Sequence, residues 1–206
     1  MIKNRTAEDE SCGLDAGATH VLRRIQPVYG KRRYHTLVSL LTALGGVLNA
    51  LEPFPGLVTG GQPSAAHFAA LKDAGCNMVL DTRDPMEEQP FDPSAVVRAA
   101  GLTYVNIPVS HGPNEDHTYD AVRRTLRAVA DSHQRAFVYC NSGNRVGAAL
   151  LPYLMLDRGL EEDAAVTTAM QIGTRSAELI EEALDYVRRK RGKGKGEWGT
   201  SGTGDP

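Results

Sequence analysis

Residues 138–147 read Val138-Tyr139-Cys140-Asn141-Ser142-Gly143-Asn144-Arg145-Val146-Gly147. The apolar run before Cys140 predicts a short buried strand, and the apolar residues after Arg145 predict a buried helix. A loop that turns sharply from a strand into a helix points backbone N–H groups inward, and the helix start adds partial positive charge. The stretch therefore predicts a binding site for an oxyanion between Cys140 and Arg145.

Cys140 and Arg145 suit chemistry on such an anion. The field that attracts an anion also stabilises a thiolate, so we expect Cys140 to be a nucleophile rather than an inert thiol. Arg145 carries a planar fork that binds two oxygens of a phosphoryl group at once. Further contacts to phosphate are expected from the loop itself, at Asn141, Ser142, Gly143, Asn144 and Val146. The alternative is that Cys140 is a small buried hydrophobe and Arg145 a surface residue of the helix.

Predicted strands and helices alternate on both sides of this loop. Strands are predicted at residues 57–59, 78–82, 104–108 and 137–140, and helices at residues 64–75, 94–100, 119–132, 146–157, 161–171 and 175–189. This order predicts an α/β fold of three layers, α/β/α, with a mostly parallel sheet of four to five strands. Cys140 then lies at the carboxyl end of a strand, where ligands bind to such sheets.

Two further segments match a known family in the same order along the chain. They are Thr59-Gly60-Gly61-Gln62-Pro63-Ser64, followed by the strand that ends in Asp81-Thr82-Arg83, and Ala100-Gly101-Leu102-Thr103-Tyr104-Val105-Asn106-Ile107-Pro108-Val109. With the loop, they make residues 50–190 resemble cysteine-dependent phosphatases of the dual-specificity type. The resemblance is closest to the beta-lactamase-hydrolase-like branch, which shares the four residues between cysteine and arginine.

The resemblance implies a protein-tyrosine-phosphatase-like fold and hydrolysis of a phosphomonoester through a phosphocysteine at Cys140, with neither metal nor organic cofactor. Its substrate would be a phosphorylated protein or a small phosphoester. The chain departs from the wider family pattern, which has five residues between cysteine and arginine. Tyr139 replaces the usual histidine, and Val146 replaces the hydroxyl residue that assists the leaving sulfur. These departures predict slow turnover or an unusual substrate.

The acid that protonates the leaving oxygen is expected in residues 110–117, but Ser110 occupies the position of the usual aspartate. Asp116 is the leading candidate, followed by Glu115 and His111. The alternative for Asp116 is a charge in the first turn of the next helix, or its N-cap. Four charged residues after the second predicted strand are either part of the same pocket or members of surface ion pairs. They are Asp81, Arg83, Asp84 and Glu87.

Two other functions are compatible with the loop. A rhodanese-like sulfurtransferase also uses a short cysteine–arginine loop and an Asp-x-Arg strand end, as in Asp81-Thr82-Arg83. The helices predicted from Glu161 onward favour the phosphatase, because a rhodanese usually has another strand there. The second alternative is a non-catalytic module that binds phosphorylated groups. It stays open because Val146 has no hydroxyl to assist the leaving sulfur and because Ser110 occupies the position of the usual acid.

Length and composition indicate one domain with tails. The 206 residues predict a leader at residues 1–35, a phosphatase-like domain at residues 36–190 and a disordered tail at residues 191–206. A net charge of −2 gives no electrostatic case for nucleic acid as a partner. Three cysteines are too few for a disulfide framework, and none has the spacing of a zinc site. A reducing, cytoplasmic location is therefore expected.

The apolar residues 36–51 follow the basic Lys31-Arg32-Arg33, a combination that also occurs in export signals. The segment is shorter than the ~20 residues that a membrane span needs, so no stable span is expected. Its leucines recur at intervals of three and four residues, which favours an amphipathic helix packed on the domain. Export through residues 31–51 is the alternative.

Overall fold

The computed structural model describes residues 39–193, and strands and helices alternate through this part of the chain. The strands are β1 (Leu51–Phe54), β2 (Leu57–Gly60), β3 (Met78–Asp81), β4 (Thr103–Asn106) and β5 (Ala136–Tyr139). The helices are α1 (Leu40–Ala43), α2 (Ala65–Asp73), α3 (Pro93–Ala99), α4 (Asp116–Asp131), α5 (Asn144–Leu156), α6 (Glu162–Ile172) and α7 (Ala177–Lys193). The predicted leader lies outside the described residues, as does the predicted tail beyond Lys193.

The five strands form one sheet in the order β1-β2-β5-β3-β4. Strand β1 is antiparallel to β2, and the other neighbours are parallel, so the predicted mostly parallel sheet is confirmed. β5 is central: Val138 pairs with Thr59 of β2 on one side and with Leu80 of β3 on the other. The chain that leaves β5 therefore emerges at the middle of the carboxyl edge.

Helices cover both faces of the sheet. Successive side chains of a strand point to opposite faces, and in β5 Val138 packs on the side of α4 and α5, whereas Phe137 and Tyr139 pack on the side of α2 and α3. A third apolar cluster joins α5 to α6 and α7. The predicted three-layer α/β/α arrangement is therefore confirmed.

The helix predicted over residues 36–51 is wrong in its extent. Within the described residues the helix ends after Ala43, Gly46 has a φ of 86° in the left-handed region, and Leu51 begins the unpredicted strand β1. Leu40 and Leu44 are buried as the leucine spacing predicts, but Leu48 is 60% exposed. Among residues 39–193, no helix combines the length and the apolar character needed to cross a membrane.

Candidate active site

Cys140 follows β5 directly, and α5 begins four residues later at Asn144. Gly143 caps the start of α5 with a φ of 91°, a conformation that favours glycine. A Cβ atom on Gly143 would clash with the carbonyl oxygen of Ile172, and a Cβ atom on Gly147 would clash with Thr174 Oγ1. Both glycines are therefore needed for the loop and α5 to lie close to the end of α6.

Four carbonyl oxygens of the loop are held by groups outside it. The pairs are Asn141 O with Gln62 N (2.9 Å), Ser142 O with Asn49 Nδ2 (2.7 Å), Gly143 O with Gly147 N (3.1 Å), and Asn144 O with Thr174 Oγ1 (3.0 Å). In a trans peptide unit the C=O and the following N–H point in opposite directions. The four N–H groups that follow these carbonyls therefore point away from the holding groups, into the loop.

One of the inward N–H groups contacts the sulfur of Cys140. The N–H of Gly143 lies 3.1 Å from Sγ, and Cys140 is only 1% exposed. Within residues 39–193, no acceptor pairs with the remaining N–H groups of the loop and first turn, which belong to Asn141, Ser142, Asn144, Arg145 and Val146. Unpaired donors at a helix start are the arrangement that binds an oxyanion.

Arg145 is 2% exposed, and Glu87 holds its guanidinium end-on. Nη1 donates to one carboxylate oxygen of Glu87, and Nη2 donates to the other over 2.9 Å. This pair leaves the other fork of the guanidinium free, namely the Nε–H and the second hydrogen of Nη2. Nε is buried and has no acceptor in the part of the chain from residue 39 to residue 193.

The Arg145–Glu87 pair shifts both pKa values. The hydrogen bond from Arg145 lowers the pKa of Glu87 to about 2, although partial burial acts in the opposite direction. Burial alone would lower the pKa of Arg145, but the Glu87 carboxylate and the nearby Cys140 sulfur raise it above its ordinary value. Both side chains are therefore charged at neutral pH.

Arg83 and Gln62 link this pair to the loop. Arg83 is 4% exposed, and its Nε donates to Glu87 at 3.3 Å while its Nη1 donates to the side chain of Gln62. The backbone N–H of Gln62 in turn donates to Asn141 O. Gln62, from the Gly-Gln-Pro-Ser segment, thus connects the loop to the arginine that orients Glu87.

Asp81 is fully buried beneath the strand ends. Its carboxylate accepts the hydroxyl of Tyr139 at 2.7 Å, the hydroxyl of Tyr104 at 3.0 Å and the N–H of Arg83 at 2.9 Å. Burial raises the pKa of Asp81, and these three donors oppose the increase. Tyr139 therefore points to the sheet face opposite Cys140, where it helps to fix the chain that leads to Glu87.

A cavity of about 390 Å³ opens above Arg145. Asp84, Glu87, His111 and Glu115 line it, whereas Asp81 and Arg83 are not part of its wall. Asp116 does not line it either: as the first residue of α4, it accepts Nη2 of Arg189 at 2.7 Å. The structure brings Arg145 together with two of the three candidate acids, His111 and Glu115.

The side chains of the other predicted loop residues do not face this cavity. Asn144 Oδ1 accepts the N–H of Arg175 at 2.7 Å, so its backbone N–H is the group left for a ligand. Val146 is fully buried in the apolar cluster under β5. Asn141 is exposed. Among residues 39–193, no group of three or more His, Cys, Asp or Glu side chains is arranged to hold a metal ion.

Glu87 and Asn49 have roles that their sequence surroundings did not predict. Glu87 is one of five charged residues between β3 and α3, and no local pattern distinguishes it as the partner of Arg145. Asn49 has a φ of 53° and reaches Ser142 across 93 positions of sequence. Asparagine tolerates this conformation better than most residues, but nothing in its neighbourhood signals the contact.

No protein-family model and no curated protein matches the chain. Solved structures do match. Tk-PTP in its active form has a TM-score of 0.61 at 14% identity, covering 68% of this chain and 97% of its own. A phosphatase-like DUF442 protein from Shewanella putrefaciens has a TM-score of 0.60 at 19% identity, covering 72% and 97%. TpbA from P. aeruginosa, seen in complex with phosphotyrosine, has a TM-score of 0.54 at 21% identity, covering 68% and 83%. The chain thus has the fold of the cysteine-dependent phosphatases that resemble protein tyrosine phosphatases.

Proposed function

We propose that this chain, built on the fold of the cysteine-dependent phosphatases, hydrolyses a phosphomonoester through a phosphocysteine at Cys140. One observation carries the proposal: Gly143 N–H contacts the Cys140 sulfur, and the other N–H groups of the loop and first turn, together with the Nε of Arg145, have no acceptor within residues 39–193. Buried polar groups are normally paired, so such a set points to a ligand that pairs them. The oxygens of a phosphoryl group match it in charge and in number.

The proposed reaction has two steps. The Cys140 thiolate attacks phosphorus, the bond from phosphorus to the leaving oxygen breaks, and that oxygen takes a proton from an acid in residues 111–116. Water then attacks the phosphocysteine, the P–S bond breaks, and inorganic phosphate and the thiolate are released. The N–H groups of the loop and Arg145 bind the non-bridging oxygens in both steps.

Glu87 acts as a positioning residue in this proposal. It binds the end-on fork of Arg145, and the free side fork then faces the phosphoryl oxygens. Because the guanidinium is already oriented and buried, little reorganisation is needed when substrate binds. The cytoplasm keeps thiols such as Cys140 reduced, so we propose the cytoplasm as the site of action.

The test is a screen of purified protein against a panel of phosphoesters, and against thiosulfate with cyanide. We expect release of inorganic phosphate by the wild type and none by Cys140→Ser, because a serine hydroxyl is far less nucleophilic than a thiolate. Arg145→Lys should lose about 10²–10³-fold in kcat, since a point charge does not reproduce the fork. Unchanged circular dichroism and Tm would show that both variants fold.

Three results would overturn the proposal. Near wild-type phosphatase activity in Cys140→Ser would exclude the thiolate mechanism. Sulfur transfer to cyanide without phosphate release would favour the sulfurtransferase. Tight phosphate binding by a wild type that turns over no phosphoester would favour the binding module.

A further inference from the structure

Carboxylates surround the cavity that leads to Arg145. Two further cavities adjoin this one. The cavity of about 410 Å³ shares Glu87 with it, and the cavity of about 270 Å³ shares His111 and Pro113 with it. Six acidic side chains line the three cavities: Asp84, Glu87, Asp92, Glu115, Glu178 and Glu182. Arg145 is the one Lys or Arg side chain among their lining residues within residues 39–193. The approach to the proposed phosphate site is therefore negative.

The two arginines at the site, Arg145 and Arg83, are already paired with Glu87. Glu87 neutralises much of the charge of Arg145 and is itself held by Arg83. One phosphoryl group would take the free fork of Arg145 and the unpaired loop N–H groups. No Lys or Arg side chain of the lining remains for a second phosphate within residues 39–193, whereas Asp84 and Glu178 are exposed and face approaching charges. A polyanionic substrate would therefore meet repulsion beside its reacting phosphate.

An exposed apolar side chain stands on the same rim. Met86 is 91% exposed and belongs to the turn in which Asp84 Oδ1 accepts the Met86 N–H at 2.8 Å. Methionine adapts its shape to varied apolar partners. Cys140 and Arg145 are almost fully buried, so a substrate has to extend its phosphate on a projecting group to reach them. A side chain on a polypeptide meets both requirements.

We propose that the substrate is a phosphorylated polypeptide segment with lysine or arginine next to the phosphorylated residue. The inference rests on the proposed phosphatase activity and names its substrate class. The phosphate pairs with Arg145 and the loop, the flanking cations pair with the acidic rim, and the backbone of the segment runs past Met86. Phosphoinositides and inositol polyphosphates are the substrates that this rim rejects.

The test measures kcat/KM of the full chain with two matched pairs of peptides, one phosphotyrosyl and one phosphoseryl. Within a pair the peptides differ only in flanking residues, lysine and arginine in one and glutamate and aspartate in the other. We expect a preference of about tenfold for the basic peptide at low salt, decreasing as salt screens the rim. The small ester 4-nitrophenyl phosphate, which has no flanking charges, gives the basal rate.

Matched variants assign the preference to the rim. Asp84→Asn combined with Glu178→Gln removes two charges, and the amide introduced by Asp84→Asn still offers an oxygen to the Met86 N–H, so the fold of the turn is retained. We expect this variant to lose most of the preference while keeping the rate on 4-nitrophenyl phosphate. Asp73→Asn is the control: it removes an exposed carboxylate at the end of α2, by the opposite edge of the sheet, and should keep the preference.

Equal rates within both pairs would overturn the inference, as would faster turnover of the acidic peptides or of phosphoinositide vesicles. Absence of turnover on every substrate, including 4-nitrophenyl phosphate, would instead overturn the proposed function. In that case the charge preference is measured by binding: fluorescence anisotropy gives the dissociation constants of Cys140→Ser for the basic and acidic peptides of each pair. Equal constants within each pair would overturn it.

Discussion

Three side chains in residues 111–116 compete to protonate the leaving oxygen. His111 and Glu115 line the cavity above Arg145, whereas Asp116 is ion-paired with Arg189 of α7. Ser110, at the position of the usual aspartate, donates its hydroxyl to Gly112 O at 2.7 Å and is part of a turn. The surroundings of Asp116 match the alternative expected from sequence, a first-turn charge of α4.

We expect Glu115→Gln to slow hydrolysis of an alkyl phosphate by the roughly 10²–10⁴-fold typical of general acid catalysis. An aryl phosphate with a low-pKa phenol should be slowed much less, because its leaving group departs without a proton. Asp116→Asn should change either rate by no more than a few fold, since it removes only a half-exposed ion pair. Steady-state kinetics on both esters check this.

The same two esters, measured with His111→Ala, complete the comparison. A large loss in Asp116→Asn that is confined to the alkyl ester would assign the acid to Asp116. Small and equal effects of all three substitutions on both esters would mean that no side chain of this segment supplies the proton.

At the scale of the elements, the close approach of α5 to α6 depends on Gly147. A Cβ atom there would meet Thr174 Oγ1 and the carbonyl oxygen of Ala169, which is backbone and has no room to move aside. We expect Gly147→Ala to lower the free energy of unfolding by about 1–3 kcal/mol, as overpacking does. Urea titration followed by circular dichroism measures it.

Gly192 is the matched control for this substitution. It lies in α7, and a Cβ atom added to it would have no neighbour within 4 Å among residues 39–193. Gly192→Ala should leave stability equal or raise it by up to about 1 kcal/mol, because alanine has the higher helix propensity. A similar loss in both variants would show that crowding against α6 is not the cause.

Apolar periodicity predicted most elements well. The strands and helices expected between residues 57 and 189 lie within four residues of the observed ends, because each carries its own pattern and end signals. The prediction of one helix over residues 36–51 failed for a physical reason. Their leucine spacing suits a helix, but Gly45 and Gly46 end it, and Leu51–Phe54 becomes a strand only by pairing with β2. A pairing partner outside the segment is not visible in its pattern.

At the scale of the whole molecule, the Arg145–Glu87 pair links the loop after β3 to the start of α5. Its contribution depends on pH: Arg145 lowers the pKa of Glu87 from 4.5 to about 2. A lowered carboxyl pKa stabilises the folded state fully above 4.5, and this stabilisation is lost as pH falls toward 2. Glu87 is 31% exposed, and solvent screens the pair. Its stabilisation of the folded state is therefore on the order of 2 kcal/mol, less than the full pKa shift would give.

We therefore expect the wild type to lose about 1.5 kcal/mol more unfolding free energy than Glu87→Gln between about pH 5 and about pH 2.5. Urea titrations of both proteins at intervals of pH measure this difference. Parallel curves for the two proteins across that window would contradict the assignment of the shift to Glu87.

The position of the candidate site was predictable, but its long-range contacts were not. Cys140 and Arg145 stand in one short segment whose strand and helix signals are local, so their placement at the sheet edge follows from sequence. The partner of Arg145 comes from 58 positions away and that of Asp116 from 73 positions away. Such contacts depend on how the layers pack against each other, and the local sequence pattern carries no information about that packing.

The outward carbonyls of the loop also have a consequence for biosynthesis. Asn49 and Gln62, which hold two of them, are made before Cys140. Thr174, which holds the Asn144 carbonyl, and the N–H groups of Arg175 and Ser176, which bond the Asn144 side chain, follow Cys140 by more than thirty positions. A nascent chain that stops short of Thr174 has the reactive thiol without the brace on Asn144. The anion cradle around Cys140 is therefore complete only after residues 174–176 have been translated and have bonded Asn144.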